Sequence, residues 1–196
     1  MRKRKSTELR QEEIVRAALA LVEQQGLDKL SIQAIAERVG LVPAAIYRHF
    51  KRKEDIVAAL IDFTEQSLQR NLDRVLPLEE TAIAKLKLLF LLHVDLLRQE
   101  AAIPRVLFFL LSSERNPELK VRILSVVGGY QHQVRKILQQ GQKCGQISPE
   151  IDVAAAATLF LGMLQPLAIL CQLQPPILEE YPPQLWRTYQ RSIALF

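Results

Sequence analysis

Residues 31–60 read SIQAIAERVGLVPAAIYRHFKRKEDIVAAL, and this stretch predicts two short helices separated by a tight turn. The apolar positions of its first part recur at the spacing of one helix face: Ile32, Ile35, Ala36 and Val39. Ser31 is a good N-cap for that helix, and Gly40 ends it. Pro43 opens the next helix at a first-turn position, where its missing N–H costs nothing.

The turn between the two helices is Gly40-Leu41-Val42. Two short helices joined by three residues that include glycine form a helix-turn-helix, and we expect the glycine to let the chain pass close to the following helix. In DNA-binding proteins with this motif the second helix lies in the major groove. The same spacing also occurs in helical hairpins that only pack, so the charge around the motif has to support the DNA interpretation.

Side chains on the open face of the second helix have the chemistry that DNA contacts need. Small residues allow a close approach and offer methyl groups to thymine, and Arg48 can reach guanine or a phosphate. Tyr47 and His49 are candidate phosphate donors, and Ser31 and Lys53 lie near helix N-termini, whose free N–H groups attract phosphate. The predicted DNA-binding residues are Ser31, Gln33, Val42, Pro43, Ala44, Ala45, Tyr47, Arg48, His49 and Lys53.

Positive charge is concentrated in the N-terminal part of the chain. Residues 1–53 hold twelve Lys or Arg against six Asp or Glu, whereas the whole chain of 196 residues has a net charge of +5. The remainder is therefore close to neutral. A basic segment on a neutral body is expected to seek a polyanion, although charge alone would also fit a solvated basic tail.

Composition favours an all-α fold, because the chain has only seven glycines and is rich in residues that lose little on entering a helix. About nine helices are expected: residues 7–25, one after Ser31, one from Pro43, then 53–75, 79–99, 104–112, 116–142, 152–172 and 182–194.

The sequence gives no support for catalysis, a cofactor or a bound metal. It lacks a Gly-rich phosphate loop and a nucleophile elbow, and His93 and His132 have no partners at metal-ligand spacing. Cys144 and Cys171 are far apart and outside any Cys-x-x-Cys pattern, which favours free thiols in a reducing cytoplasm and leaves a redox role open. No apolar stretch directly follows the basic residues 1–5, so no secretory signal is expected.

One stretch tests the expectation of a soluble protein, since no charged residue occurs in the 26 residues from Val153 to Leu178. About 20 apolar residues are enough to cross a bilayer. Gln165-Pro166 lies within this stretch, Pro175-Pro176 lies near its end, and no basic cluster lies just beside it. These features favour a helix buried in a core or in a subunit interface over a membrane span.

The quoted stretch closely resembles the DNA-binding domain of the TetR family of bacterial transcriptional regulators. That family's pattern is approximately Thr-x-x-x-Ile-Ala-x-x-Ala-Gly-Val-Ser-x-x-x-Leu-Tyr-x-His-Phe-x-x-Lys-Glu-x-Leu. The matching positions here are Ser31, Ile35-Ala36, residues 39–42, Ile46-Tyr47, His49-Phe50, Lys53-Glu54 and Ile56. The resemblance covers about the first 60 residues.

Val42 departs from this pattern. The family usually has Ser or Thr there, and valine cannot accept a hydrogen bond from the helix, which costs about 0.5–2 kcal/mol of local stability and is partly offset by Pro43. The change also removes a hydroxyl that often meets a phosphate, so the role of position 42 is open.

The resemblance implies two domains and a ligand-responsive regulator. Residues 1–52 would form the helix-turn-helix domain with its basic arm, and residues 53–196 a helical ligand-binding and dimerisation domain, with helix 53–75 connecting them. The implied protein is a cytoplasmic homodimer, most often a repressor, on a near-palindromic double-stranded DNA operator. A small, mostly apolar effector would release it; the identity of that effector and of the operator is not implied.

The resemblance also implies which residues form the dimer and the pocket. The predicted interface lies on the last two helices, with small residues that allow close approach: Ala154, Ala157, Phe160, Leu161, Leu164, Leu167 and Trp186. Candidate pocket residues are Phe63, Phe90, His93, Phe108, Phe109, Tyr130 and Met163. A Phe or Met at helical spacing is also typical of plain core.

Two other classes of protein stay open from the residues alone. An all-α enzyme or lipid carrier with an incidental basic arm would show turnover or ligand binding without salt-sensitive DNA affinity. A membrane-tethered regulator would use residues 153–173 as a span and would not fractionate with the soluble extract.

Overall fold

The described part of the chain, residues 7–112, 116–171, 174 and 176–195 of a computed structural model, folds into ten α-helices. They are α1 Thr7–Gln25, α2 Ile32–Val39, α3 Pro43–Ile46, α4 Lys53–Val75, α5 Ala82–Gln99, α6 Ala102–Ser112, α7 Pro117–Lys143, α8 Val153–Leu170, α9 Ile177–Glu180 and α10 Pro182–Ile193. These ranges contain no strand, and one isolated β-bridge pairs Ile147 with Ala194.

The all-α prediction is confirmed, and most helix boundaries fall within a few residues of those expected. The additional helix beyond the expected nine is α9, which has four residues. Most of the predicted basic arm, residues 1–6, lies outside the described ranges.

The first of two compact units comprises residues 7–64, 102–112 and 116–123 of the described ranges. Within it α1 packs on α2 and on α6, and α2 packs on α3. Its core contains side chains with no exposed surface, which are Ile14, Ala18, Val22, Ile35, Ala36, Ile46, Ile56 and Leu60. These are the positions that the helical periodicity selects, so the helix-turn-helix is held by an apolar core of its own.

The second compact unit comprises residues 65–101 and 124–196, and in it α8 and α10 pack on α5. Four aromatic side chains meet there, with ring centroids 5.8–6.2 Å apart: Phe90, Phe160, Trp186 and Tyr189. The Tyr189 hydroxyl donates to the Ala156 carbonyl at 3.0 Å, so the cluster has no unpaired phenol. Aromatic pairs at such distances each contribute about 0.5–1.5 kcal/mol beyond their buried area.

Gly141 makes a close approach possible inside the second unit. A Cβ at this position would lie 2.5 Å from Ile147 Cδ1 and 2.7 Å from Ala82 Cβ. Only glycine therefore lets α7 pack this closely on the start of α5 and on the segment after α7.

α8 is the one helix in the described ranges that is long and apolar enough to cross a membrane, which by itself is weak evidence because core helices pass the same test. It begins at Asp152, whose Oδ1 accepts hydrogen bonds from the N–H groups of Ala155 and Ala154 at 2.8 and 2.7 Å. These two bonds hold the pKa of Asp152 below its usual value. In the second unit α8 contacts α5, α9 and α10, and 33% of the helix is buried.

The packing units do not end at the predicted domain boundary between residues 52 and 53. Residues 53–64 of α4, together with α6, group with the N-terminal helices, whereas residues 65–75 belong to the second unit. The boundary at 52/53 therefore stays a prediction about function.

Candidate nucleic-acid interface

α2 is held at both ends by the residues that its sequence indicates. Ser31 has an extended backbone, and its Oγ accepts a hydrogen bond from the Ala34 N–H at 3.1 Å. Gly40 has φ 67°, and the N–H of Leu41, the next residue, donates to the Ala36 carbonyl at 2.9 Å. A Cβ on Gly40 would meet no atom within 4 Å, so the expected close approach to the next helix is not found. The glycine is required by its positive φ.

The recognition segment, which we define as residues 42–49, begins without a side-chain cap. Val42 is extended at φ −87° and ψ 149° and makes no cap hydrogen bond, while Pro43 occupies the first turn of α3. Ile46 and Phe50, which are 0% and 8% exposed, anchor the inner side. The opposite side of the segment is consequently open.

The structure divides the predicted DNA-binding residues into two groups. Six are exposed: Ser31, Gln33, Val42, Ala44, Tyr47 and Arg48. Four are half-buried: Pro43, Ala45, His49 and Lys53. The six exposed residues are available to a partner molecule. The fold of the chain does not explain why the apolar Val42 and Tyr47 are exposed.

Two side chains on α2 already have local partners. The Ser31 hydroxyl oxygen is the N-cap acceptor. Its hydrogen can still rotate toward a phosphate and donate a hydrogen bond to it. The Gln33 amide nitrogen donates to Glu37 Oε1 at 2.8 Å. A DNA contact by Gln33 would therefore have to replace or share this hydrogen bond.

His49 is less available than the sequence suggests. Its Nδ1 is buried and forms no hydrogen bond with any described residue, so this nitrogen cannot reach a phosphate. A DNA contact by His49 would have to use Nε2. Lys53 is the first residue of α4, where a cation lies close to the free N–H groups of the helix.

The recognition segment is surrounded by positive charge. Residues 40–53 contain four Lys or Arg and no Asp or Glu. Lys51 and Arg52 are exposed, and Arg52 keeps 72% of its side chain accessible although its Nη2 lies 3.4 Å from Asp55 Oδ1. Lys51 and Arg52 were not among the predicted contacts, although they belong to a Lys-Arg-Lys run at residues 51–53 that is visible in the sequence.

In the second unit His93 and Tyr130 form a polar pair within apolar surroundings. His93 Nδ1 lies 3.2 Å from the Tyr130 hydroxyl, and the two rings meet edge to face at 5.4 Å. Burial lowers the pKa of His93 to about 4 and raises the pKa of Tyr130. Both side chains are therefore neutral at physiological pH.

Asn71 is a buried polar residue that the sequence analysis did not select. It lies on α4 among buried apolar residues and is 8% exposed, and its Nδ2 has no hydrogen-bond partner among the described residues. A buried amide without a partner is uncommon and needs an explanation. The signal in the sequence was an Asn at an inward position between Leu68, Leu72 and Val75.

The other candidate pocket residues have varied surroundings. Phe90 is fully buried in the aromatic cluster, which makes it core. Phe63 is half-buried, with the Arg16 guanidinium 4.6 Å from its ring centroid. Phe109 lines a cavity of about 590 Å³ in the first unit together with Lys53. Phe108 and Met163 are half-buried.

The predicted dimer interface mostly faces the interior of the chain itself. Five of its residues are at most 4% exposed: Ala157, Phe160, Leu164, Leu167 and Trp186. Ala154 and Leu161 are half-buried. The outward face of α8 carries Leu159 at 59% and Ile169 at 48% exposed, with Gly162 and Pro166 between them. The surface that a partner could cover is thus the opposite face of the predicted helix.

No group of three or more metal-ligating side chains occurs in the part of the chain that the structure describes. Cys144 is exposed and Cys171 half-buried, and no disulfide joins them.

Residues 14–60 match the family described as bacterial regulatory proteins, tetR family, and residues 112–176 match the tetracyclin repressor-like C-terminal domain. Together the two matches span more than half of the chain.

The nucleoid occlusion factor SlmA of a Marinomonas species is 25% identical over 156 residues, covering 80% of this chain and 79% of the relative. The fatty acid metabolism regulator protein of Bacillus subtilis is 27% identical over 152 residues, covering 78% of each. The crystal structure of a TetR transcriptional regulator from Chloroflexus aurantiacus shares the fold, with a TM-score of 0.79, 23% identity and 100% coverage of both chains.

Proposed function

Because this chain belongs to the TetR family, whose members are DNA-binding transcriptional regulators and not enzymes, we propose that it is a homodimeric repressor released from its operator by a small, mostly apolar effector. The operator would be a near-palindromic double-stranded DNA sequence. The dimer would act in the cytoplasm. The observation that carries the proposal is the exposed recognition segment, which is surrounded by cations and contains no acid.

DNA reading would use the exposed side of the recognition segment. Tyr47 and Arg48 point away from the core that Ile46 and Phe50 anchor, which supports insertion into a major groove. Lys51 and Arg52 add cations for the phosphates on either side. Two such segments in a dimer would read half-sites about one helical turn apart.

Dimerisation would use the outward face of α8. Leu159, Gly162, Pro166 and Ile169 lie along one side of the helix and form an apolar strip that a single chain leaves exposed. A stable dimer needs about 800 Å² of buried surface from each partner, and a second copy of this strip is self-complementary across a two-fold axis. Burial of this strip against a second copy would also explain how a helix without charged residues can occur outside a membrane.

Effector binding would use the second compact unit. His93, Tyr130 and Asn71 supply neutral polar atoms within the apolar second unit, which suits a ligand that is mostly apolar and has one polar group. The Bacillus subtilis relative is named for fatty acid metabolism, and an acyl compound would have this character. Lys53 and Phe63 share α4, so a movement of that helix would reach the DNA contacts.

The test is a selection of bound duplexes from a random DNA pool, followed by binding to the enriched sequence across a salt series. We expect an inverted repeat, with the logarithm of affinity falling by roughly 0.9 per contacted phosphate for each tenfold rise in salt. The double variant Tyr47→Ala with Arg48→Ala should lose operator binding while remaining folded and dimeric. Failure to enrich any sequence would refute the proposal, and so would a variant that loses its fold, because Tyr47 and Arg48 would then be structural.

A second function is favoured by the relatives named nucleoid occlusion factor SlmA, which match 80% of this chain. Such a role would use the same recognition segment but would require sites distributed over the chromosome. Mapping the bound sites in cells separates the two, since a repressor should occupy a few sites close to promoters.

A further inference from the structure

The first turn of the recognition segment presents an exposed apolar surface. Val42 is 65% exposed and Tyr47 52% exposed, and Ala44 is exposed between them. Val42 is the N-cap of α3 but makes no cap hydrogen bond. The Val42 side chain therefore does not cap α3, and it is available to a partner.

This apolar surface lies inside a region of positive charge. From Gly40 to Lys53 the charged residues are all cations, and the exposed ones are Arg48, Lys51 and Arg52. A purely apolar partner would leave these cations unpaired, whereas DNA offers phosphates to them. Charge complementarity therefore favours DNA as the partner, and the proposed function would place this surface in the major groove.

The major groove contains only one apolar group, which is the 5-methyl group of thymine. Guanine is read by Arg or Lys, adenine by Asn or Gln, and cytosine by an acid. None of these side chains occurs in residues 42–47, so the first turn cannot read a base by a bidentate hydrogen bond. Apolar contact with a thymine methyl is the readout that remains.

We propose that each half-site of the operator contains a thymine whose 5-methyl group packs against Val42, and that this contact determines the base at that position. Val42 is then a specificity-determining residue and not a phosphate contact. The inference rests on the proposed function, since it requires that the chain reads DNA with residues 42–49.

The experiment uses the enriched operator and replaces each thymine of one half-site, one at a time, by deoxyuridine, which lacks only the methyl group. We expect one position at which the replacement weakens binding about fourfold, the effect of exposing one methyl group. Changing the same pair to cytosine should weaken binding further, and 5-methylcytosine should recover about the same fourfold factor.

The variant Val42→Ala identifies the protein side of this contact. Its affinity for the thymine operator should fall by a similar factor, and the deoxyuridine replacement should then cost nothing more, which is the non-additivity expected of two groups in contact. Val42 is exposed, so the variant should fold normally. The matched control is Val121→Ala, because Val121 is a valine of 67% exposure outside the recognition segment and its loss should leave the affinity unchanged.

Each alternative result has a distinct meaning. Deoxyuridine that is tolerated at every position of an enriched inverted repeat would overturn the thymine inference and leave the proposed function intact. Additive losses from Val42→Ala and deoxyuridine would show that another residue contacts the methyl group. If no sequence is enriched, both the proposed function and this inference fail.

Discussion

Val42 leaves the first N–H groups of α3 without a side-chain acceptor, which makes it the simplest position at which to stabilise the DNA-binding part. The substitution Val42→Thr keeps the branched shape and adds an oxygen that can accept from the helix. We expect the free energy of unfolding to rise by about 1 kcal/mol, as measured by urea denaturation.

The control for this prediction is Val121→Thr, which changes an equally exposed valine within α7. A substitution at an exposed position away from a cap should alter stability by less than about 0.5 kcal/mol. Equal effects at both positions would mean that capping is not the cause.

His93 gives the protein a stability that depends on pH. The folded state holds the pKa of His93 at about 4, whereas in the unfolded chain it returns to about 6.5. As the pH falls from 7 to 5 the unfolded state takes up a proton that the folded state does not, so the free energy of unfolding should fall, by about 2 kcal/mol. Urea titrations at several pH values measure this slope.

His93→Leu should remove this contribution to the slope, whatever it does to the absolute stability. His132→Gln is the matched control, because His132 is exposed and lies on the same helix as Tyr130. A slope that persists in His93→Leu would show that another group titrates between pH 7 and 5.

The helix α7 contains glycines in two kinds of surroundings. Gly128 and Gly129 have no atom within 4 Å of an added Cβ, whereas Gly141 is in close contact with Ala82 and Ile147. Gly128→Ala should raise the free energy of unfolding by about 0.5–1 kcal/mol, because alanine favours the helix. Gly141→Ala should lower it by about 1–3 kcal/mol, because its Cβ overpacks the contact.

The difference between these two substitutions is the test, since both make the same chemical change within one helix. Melting and urea curves of the two variants should move in opposite directions. If Gly141→Ala were also stabilising, Ile147 and Ala82 would have to move aside at little cost.

The sequence predicted the elements best where single residues act locally. Ser31, Gly40 and Pro43 each perform a backbone task that few other residues perform, and α2 and α3 begin and end accordingly. α8 shows the opposite case, because it is apolar on every side and its periodicity does not indicate which face is buried. Several residues predicted for the dimer interface are therefore buried within the chain itself, and the interface stays a prediction. The pairing of His93 with Tyr130 depends on how α5 packs on α7, which the sequence does not indicate.

The proposed dimer can be tested by a substitution on α8. Leu159→Lys places a charge on the outward strip at a residue that is 59% exposed, so the chain should still fold. Burying that charge between two copies is costly, and we expect monomers at micromolar concentration by analytical ultracentrifugation.

The control is Leu91→Lys on α5, since Leu91 is also an exposed leucine, at 39%, but lies outside the strip. It should leave the oligomeric state unchanged. A Leu159→Lys protein that stays dimeric would place the interface elsewhere.

Because the first compact unit is assembled from two separate stretches of chain, transplanting its N-terminal stretch alone would uncover part of its core. A gene fusion that joined residues 1–52 to another protein would leave behind α6, whose Val106 and Leu110 are 0% and 1% exposed in a helix that packs on α1. A chimera that preserves this unit needs more than one junction. Chimeric regulators made from this chain should therefore carry α6 together with the helix-turn-helix. New DNA specificities should arise more readily by substitution in the recognition segment than by exchange of domains.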